Sequence, residues 1–272
     1  MRTFLVAIAL IVFTAQAQAV VIFSDGFEIV ADGGNDTVAA APVADIAGTS
    51  WNVSNPGSGT RLTDIRANSA SPAVFGGGNH GLRAHDNSTS GRTNIVGNFA
   101  ASVVAPLQLD FDIYVHDNAA FDANGDQYFV RLRSGANITG PELSFIANAN
   151  GTPNPGTFQF RAAGQNLGQG VTGAWYHVLA QISAPAGGTF DVTITDTSGA
   201  TVASGMSLLF QNAITDFDDL FMGNPGNGYT GQRRIDNVVV QTISPTVIPE
   251  PLTAALMPLA MTALLLRRRR AA

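Results

Sequence analysis

The sequence lacks cysteine and lysine entirely and contains only three glutamates in 272 residues. Without cysteine there is no disulfide framework, no thiolate nucleophile and no cysteine-bound metal centre. Without lysine there is no Walker A phosphate loop and no Schiff-base chemistry. Hydrophobic residues make up 45% of the chain, which is too apolar for a disordered protein. The 29 glycines and 13 prolines, with so few strong helix formers, favour β-structure.

The first 19 residues have the composition of a secretory signal peptide. They contain Arg2, the apolar run Phe4–Phe13, and the small residues Ala17 and Ala19 at the expected cleavage position. The apolar run is much shorter than the ~20 residues that a membrane-spanning helix needs. We therefore predict export through the general secretion machinery and a mature chain that begins at Val20.

An uncharged apolar stretch near the C-terminus, Leu252–Leu266, is followed by Arg267, Arg268, Arg269 and Arg270. The positive-inside rule keeps such a cluster in the cytoplasm, so the preceding chain would face outward, in agreement with the signal peptide. The stretch is short for a permanent transmembrane helix and has Pro258 inside it. We therefore predict a temporary membrane anchor.

Directly before this stretch stands the motif Pro249-Glu250-Pro251. The motif, the apolar segment and the arginine cluster, together residues 246–272, resemble the PEP-CTERM sorting signal of Gram-negative exopolysaccharide producers. The resemblance implies that an exosortase-type membrane protease recognises Pro249, Glu250 and Pro251 and cleaves there. The protein would then pass from a transient inner-membrane anchor to the cell surface or extracellular matrix. An ordinary tail anchor after a proline turn is the alternative.

The charge of the predicted mature region argues against nucleic acid as a partner. Residues 20–249 contain nine arginines and 19 acidic residues, a net charge of −10. Binding to a phosphate backbone or to an anionic membrane surface requires an excess of positive charge. We therefore expect neither as a partner.

Alternating apolar and polar residues predict β-strands throughout this region. The clearest run has Leu107, Leu109, Phe111, Ile113 and Val115 on one face, with the other face expected to be solvated. The run Thr189–Asp196 repeats the pattern. Weaker versions occur at residues 80–85, 94–99, 127–133, 157–161, 176–182 and 235–241. About a dozen short strands separated by turn clusters favour one all-β, two-sheet antiparallel sandwich over residues 20–245.

Several short motifs in this region resemble concanavalin A-like or laminin G-like jelly-roll modules. They are Phe23-Ser24-Asp25-Gly26-Phe27-Glu28, Trp51, Trp175-Tyr176-His177-Val178, the strand Phe190–Asp196 with Ser198-Gly199, and the closing Ile235-Asp236-Asn237-Val238. Galactose-binding-like jelly rolls, with a similar opening and closing strand, are the second possibility. We expect both tryptophans to lie in the core rather than to act as sugar-stacking platforms.

The jelly-roll resemblance implies a structural calcium ion where the first and last strands meet. Asp25, Glu28 and Asp236 are the candidate ligands, because calcium prefers several carboxylate and carbonyl oxygens. The alternative is that Asp25 and Asp236 only cap turns or strand ends, which aspartate does well.

The polar face of the clearest strand is the candidate ligand-binding site. Asp110, Asp112, Tyr114 and His116 alternate along it, with successive carboxylates about 7 Å apart, within the range of glycosidase acid and base pairs. On a concave sugar-binding sheet Tyr114 would provide a stacking surface. The alternative is a solvated face whose carboxylates form ion pairs with Arg131 and Arg133 of a neighbouring strand.

We find no complete catalytic motif. The four histidines have no metal-ligand spacing, and a Gly-x-Ser-x-Gly nucleophile motif is absent. We therefore expect a non-enzymatic surface or matrix protein that binds extracellular polysaccharide. The alternatives are a polysaccharide hydrolase or lyase on the same sandwich, and a purely structural matrix or adhesion protein.

Overall fold

Antiparallel β-strands account for most of the residues that the computed structural model describes, which are 19–27, 35–37, 46–54, 61–67, 80–86, 93–115, 127–135, 138–146, 156–223 and 231–243. These residues contain sixteen strands and a short 3-10 turn at Pro185–Gly187. The strands are β1 (Val21–Asp25), β2 (Asn35–Thr37), β3 (Ser50–Ser54), β4 (Arg61–Ala67), β5 (His80–Asp86), β6 (Asn94–Val103), β7 (Leu107–Val115), β8 (Gln127–Ser134), β9 (Ile138–Ile146), β10 (Thr157–Ala162), β11 (Gln165–Val171), β12 (Ala174–Ile182), β13 (Thr189–Asp196), β14 (Thr201–Leu209), β15 (Phe217–Gly223) and β16 (Gly231–Thr242).

The strands form two layers of one curled antiparallel sheet. The first layer has the order β2-β4-β5-β16-β7-β12-β13-β14, and β1 pairs with the second half of β16. The second layer has the order β11-β10-β9-β8-β15-β6-β3. A single pairing between Gly168 of β11 and Ala203 of β14 joins the two layers. This architecture confirms the predicted all-β, two-sheet antiparallel jelly-roll sandwich.

The core lies between the layers and consists of the apolar positions that the alternation predicted. Every odd-numbered residue of β7 from Leu107 to Val115 is buried, as are the inward residues of β12 and β13. Aromatic rings connect the layers. Phe111 of β7 meets Phe145 of β9 at 6.4 Å between ring centres, and Tyr176 of β12 packs against Phe158 and Phe160 of β10 at 5.6 and 5.1 Å.

The first strand closes one end of this core. Phe23 packs edge-on against Trp51 with 4.8 Å between ring centres, and Phe27 lies 5.7 Å from the same indole. Gly97 of β6 provides the space for Phe23, because a Cβ there would lie 2.7 Å from the phenyl ring. Trp51 is therefore a core residue, as expected.

Several sequence-based predictions fall on other parts of the chain. Of the predicted signal peptide, the structure describes only Ala19, which is exposed. Glu28, His116 and residues 246–272 also lie outside the described residues. Residues 20–243 form one compact unit. Among the described residues, no helix has the length and hydrophobicity needed to cross a membrane.

Candidate functional site

The outward face of the first layer brings polar residues of β16, β7 and β12 into register. Asp112 of β7 lies opposite His177 of β12 on one side and opposite Asp236 of β16 on the other. Asp110 lies opposite Leu179 in the same pair of strands. The alternation of β7 therefore places its aspartates beside a histidine that is 65 residues further along the chain.

The His177 imidazole lies between the two aspartates. Its Nδ1 is 2.9 Å from Asp112 Oδ1, and its Nε2 is 3.5 Å from Asp110 Oδ1. In the neutral form, an Nδ1–H donates to Asp112 and Nε2 is left as an acceptor; in the protonated form, both nitrogens donate. His177 and Asp110 are partly exposed, with 34% and 28% of their side-chain surface accessible, whereas Asp112 is buried.

A backbone bulge in β16 supplies the second partner of Asp112. Asn237 has a φ of 50°, which asparagine tolerates better than most residues, and the register between β16 and β7 shifts here. The Asn237 side-chain amide donates to Asp112 Oδ2 at 2.7 Å, while Asp236 Oδ1 accepts from the Asn237 backbone N–H at 2.8 Å. Both oxygens of Asp112 therefore have hydrogen-bond partners.

The prediction that the polar face of β7 is solvated is wrong for Asp112 and Tyr114, whereas Gln108 and Asp110 are partly exposed. Asp112 is only 1% exposed and Tyr114 is buried, because Tyr114 packs beside Trp175 with 5.4 Å between ring centres. Trp175 is buried too, but in this separate pair on the outward face rather than in the main core. Tyr114 therefore offers no open stacking surface, although Asp110 and the edge of His177 remain accessible.

The proposed ion pairs of β7 with Arg131 and Arg133 are also wrong. Both arginines lie on β8 in the other layer. Arg131 pairs with Glu142 of β9, and Arg133 makes two hydrogen bonds to Asp219 of β15 at 2.6 and 3.0 Å. The carboxylates of β7 instead contact His177, and Asp112 also accepts a hydrogen bond from the Asn237 amide.

The Asp110–His177 pair has the chemistry of an acid and a base at a partly open surface. Burial raises the pKa of Asp110; the charge of His177 opposes this rise and the charge of Asp112 adds to it. The raised pKa makes Asp110 a candidate proton donor, and the buried Asp112 fixes the orientation of the imidazole beside it.

A shallow groove of about 420 Å³ begins one strand away from Asp110, on the same outward face. Its lining includes Leu179 and Gln181 of β12, Asp191 and Thr193 of β13, and Ser204 and Met206 of β14. Leu179 lies between Asp110 and Thr193 in the register of the sheet, so the groove continues from the acidic pair. The Ser207 backbone N–H donates to Asp191 Oδ1 at 2.6 Å and orients this carboxylate.

Asp25 and Asp236, the predicted calcium ligands, are both buried. Asp25 accepts hydrogen bonds from the Phe27 backbone N–H at 2.6 Å and from the Trp51 indole N–H at 2.5 Å. In the described part of the chain, no three histidine, aspartate or glutamate side chains form a group that could hold a metal ion. Since Glu28 lies outside that part, calcium binding stays a prediction.

The outward face of the second layer carries a further polar cluster, centred on Arg131, which was not predicted as a binding site. Arg131 donates through Nε to Glu142 Oε2, and the Gln211 amide donates to Glu142 Oε1. Burial raises the pKa of Glu142, and Arg131 opposes this rise. The Arg131 guanidinium lies over the rings of Phe129 and Phe221, at 4.2 and 5.7 Å from their centres. The signal in the sequence was the alternation Phe129-x-Arg131-x-Arg133, which places these three side chains on one face of β8.

Comparison with known proteins identifies the fold but no family. No protein-family model matches the chain, and no curated protein sequence matches it. Among solved structures, it is similar to the CBM2 module of an evolved Dit protein from Lactobacillus casei BL23 phage J-1, with 9% identity, a TM-score of 0.50 and coverage of 84% of this chain and 97% of that one.

Two further structures show a more distant likeness. A carbohydrate esterase from the Shiga toxin-encoding bacteriophage phi24B has 14% identity and a TM-score of 0.45, covering 71% of this chain and 90% of the esterase. Peanut lectin has 12% identity and a TM-score of 0.43, covering 72% of this chain and 99% of the lectin. At such low identity the likeness concerns the fold alone.

Proposed function

We propose that this is an exported β-sandwich protein that binds extracellular polysaccharide, without catalysis, in the groove on the outward face of β12, β13 and β14. The observation that carries the proposal is the composition of that groove. It places amide, carboxylate and hydroxyl groups beside two apolar side chains on a rigid sheet. A binding site needs a concave surface with a few polar groups in fixed positions, and this groove supplies both.

The individual side chains suit a sugar ring. Gln181, Thr193 and Ser204 are exposed and can each donate and accept hydrogen bonds, as sugar hydroxyls require. Asp191 is held by the Ser207 backbone and accepts only. Leu179 and the exposed Met206 provide apolar contacts for the C–H face of a ring. The groove is open, as binding within a long polymer requires.

The binding proposal is tested by isothermal titration of the full chain with a panel of bacterial exopolysaccharides. We expect the double variant Gln181→Ala, Ser204→Ala to bind at least about tenfold more weakly, because each lost hydrogen bond contributes about 1 kcal/mol. The matched control is Gln169→Ala on β11, an exposed glutamine in the other layer. Unchanged binding in the double variant contradicts the groove. If no polysaccharide binds while the protein is retained in the matrix, the structural role is favoured.

The export part of the proposal is supported by the two ends of the sequence. In a Gram-negative host with an exosortase-type protease, we expect the chain at the cell surface or in the matrix, without its N-terminal 19 residues and without the arginine cluster. Mass spectrometry of the recovered protein measures both losses. Replacement of Glu250 by Ala should leave the protein in the inner membrane. Surface delivery of the variant in normal amounts contradicts recognition of the Pro-Glu-Pro motif.

The Asp110–His177–Asp112 arrangement favours a second candidate, a polysaccharide hydrolase or lyase. The buried Asp112 orients the imidazole, and the raised pKa of Asp110 suits a proton donor. We would compare the wild type with His177→Asn for release of reducing ends and of unsaturated sugars from each polysaccharide that binds. Turnover that disappears in the variant, with binding retained, establishes this candidate. Absence of turnover supports the binding role.

The predicted calcium ion at Asp25, Glu28 and Asp236 is tested by thermal melting. A ligand that binds only the folded state raises the melting temperature. If calcium binds there, the melting temperature rises with calcium and falls with EDTA, and Asp236→Asn abolishes the difference. Equal melting temperatures in calcium and EDTA overturn the prediction.

A further inference from the structure

Arg131 lies in the middle of the outward face of the second layer, on the opposite side of the sandwich from the groove. Its neighbours in register are Glu142 of β9 and Phe221 of β15. The guanidinium carbon is 4.2 Å from the centre of the Phe129 ring, so the planar group is stacked on an aromatic surface. Two flanking strands and a ring therefore fix the position of this cation.

Glu142 anchors the arginine through one nitrogen only. Its Oε2 accepts from Arg131 Nε, and its Oε1 accepts from the Gln211 amide. Because both oxygens have partners and Glu142 is buried, the carboxylate is held in place. An arginine has five N–H donors, so four of them remain on the two Nη atoms.

None of the described residues accepts a hydrogen bond from these four donors. Within the described part of the chain, Arg131 makes no hydrogen bond except the one from Nε to Glu142. About a fifth of its side-chain surface is accessible, at 21%. Arg133, two residues along the same strand, differs: it is buried and uses Nε and Nη2 together to hold Asp219. Arg133 stabilises the sheet, whereas Arg131 presents its fork outward.

We propose that Arg131 is the anchor of a second binding site, which takes the carboxylate of a uronic acid residue in an acidic polysaccharide. The fork of two Nη groups matches the two oxygens of a carboxylate, as in bidentate arginine–carboxylate pairs. The stacked rings exclude water from one face of the guanidinium, which strengthens a hydrogen bond to an anion. The site goes beyond the proposed function, with which it shares only the assumption that the ligand is a polysaccharide.

The negative net charge of the chain is compatible with an anionic ligand at this position. At about 0.15 M salt the Debye length is about 8 Å, so distant acidic residues are screened while a direct contact is not. Glu142 neutralises Arg131 in part, but Arg161 of β10 lies on the same face, two strands away and two residues along the strand, at about 12 Å. The described part of this face therefore has three arginines, of which Arg131 and Arg133 are paired with carboxylates.

The test is isothermal titration of the full chain with trigalacturonate and with its fully methyl-esterified form, at about 0.15 M salt. The ester has the same sugar rings without the negative charge. We expect the acid to bind at least about tenfold more tightly than the ester, and Arg131→Gln to remove that preference. The double variant Gln181→Ala, Ser204→Ala should still bind the acid more tightly than the ester. Failure of the groove and failure of this site are therefore distinguishable.

Two further variants separate the fork from simple charge. Arg131→Lys keeps the charge but lacks the planar fork, so we expect it to restore less than half of the lost binding free energy. Arg161→Gln removes a cation from the same face without touching the stack, and it should change the affinity by less than about twofold. The proposal is overturned if Arg131→Gln and Arg161→Gln lose the same affinity for trigalacturonate. It is also overturned if the wild type binds the acid and the ester equally well.

A measurement on the wild type covers the case in which the Arg131 variants fail to fold. Phenylglyoxal modifies accessible arginines, and peptide mass spectrometry locates the product. We expect phenylglyoxal to modify Arg131. Trigalacturonate should slow this reaction, whereas the methyl ester should not. Reaction at Arg131 that trigalacturonate does not slow overturns the site. Equal protection by inorganic sulfate overturns the assignment to a carboxylate.

Discussion

The hydrogen bond between Trp51 and Asp25 is the residue-scale contact that most clearly fixes the start of the chain in the core. The indole N–H donates to a buried carboxylate. Trp51→Phe keeps an aromatic ring but leaves the carboxylate short of a donor. We expect the free energy of unfolding to fall by about 1.5–3 kcal/mol beyond the packing loss, as for hydrogen bonds to charged groups.

Trp175→Phe is the matched control for this prediction. Trp175 is equally buried, but its indole nitrogen has no hydrogen-bond partner among the described residues. The same substitution there removes ring volume without breaking a hydrogen bond. Urea unfolding of both variants measures the difference. Equal destabilisation of the two variants would show that the Trp51–Asp25 bond adds nothing to stability.

For a phenylalanine substitution at Tyr128 we do not expect the free energy of unfolding to fall. The Tyr128 hydroxyl is buried, and no residue that the structure describes forms a hydrogen bond with it. Burial also raises its pKa, which the charge of Arg233 opposes. A buried polar group that lacks a partner is destabilising, so Tyr128→Phe should leave stability unchanged or raise it by up to about 1 kcal/mol.

Tyr176 provides the comparison. Its hydroxyl accepts from the Val171 backbone N–H at 2.7 Å and lies 3.1 Å from the Val171 carbonyl. Tyr176→Phe should therefore lower the free energy of unfolding by about 1–2 kcal/mol. Thermal melting of the two variants under one condition gives the order. A stabilised Tyr176→Phe, or a clearly destabilised Tyr128→Phe, contradicts the assignment of hydrogen bonds.

Single residues also show what could be predicted at the candidate site. Asp110 and Asp112 were predictable because strand alternation places them on one face. His177 was not, since its position beside them depends on the register of two strands far apart in sequence. The Asn237 contact depends in addition on a bulge, which shifts the register by an amount that no local pattern encodes.

At the scale of elements, the strands with clear alternation were predictable and those with conflicting local signals were not. β7 and β13 alternate strictly. β9 lies between β8 and β10 although it contains Gly140 and Pro141, which argue against a central strand. The register shift between Arg131 and Arg133 opposite this point accommodates the proline at an irregularity. Such a bulge arises from tertiary pairing, so propensity alone misses it.

The pairing of β7 with β12 gives a prediction about pH. The pKa of Asp110 is raised, mainly by burial, above its ordinary value of 3.8. The folded state therefore binds this proton more tightly than the unfolded state. The contribution of this proton to the free energy of unfolding is fully present below the pKa that Asp110 has in the unfolded state. It is lost as the pH rises through the pKa that Asp110 has in the folded state.

Asp110→Asn isolates this contribution because asparagine does not ionise. We expect the melting temperature of the variant, relative to the wild type, to increase from pH 3 to pH 7. Thermal melting at several pH values checks it, with Gln108→Ala on the same face as the control. A difference between variant and wild type that stays constant over this range shows that the environment of Asp110 does not disfavour its charge.

At the scale of the whole sandwich, the two proposed sites occupy opposite outward faces. The groove belongs to β12–β14 of the first layer, and Arg131 belongs to β8 of the second. The aromatic core between the layers fixes the distance between the faces. A single chain could therefore hold two polysaccharide strands at once, since neither site blocks the other.

This geometry predicts cross-linking of an acidic polysaccharide. Each chain would join two strands, and many weak contacts along a polymer add up by avidity. We expect the full chain to increase the light scattering and the elastic modulus of a dilute exopolysaccharide that contains uronic acids. Arg131→Gln alone, or Gln181→Ala with Ser204→Ala, should abolish the increase while leaving binding at the other face. If either variant cross-links as well as the wild type, the two faces do not act together, and retention in a matrix would need only one of them.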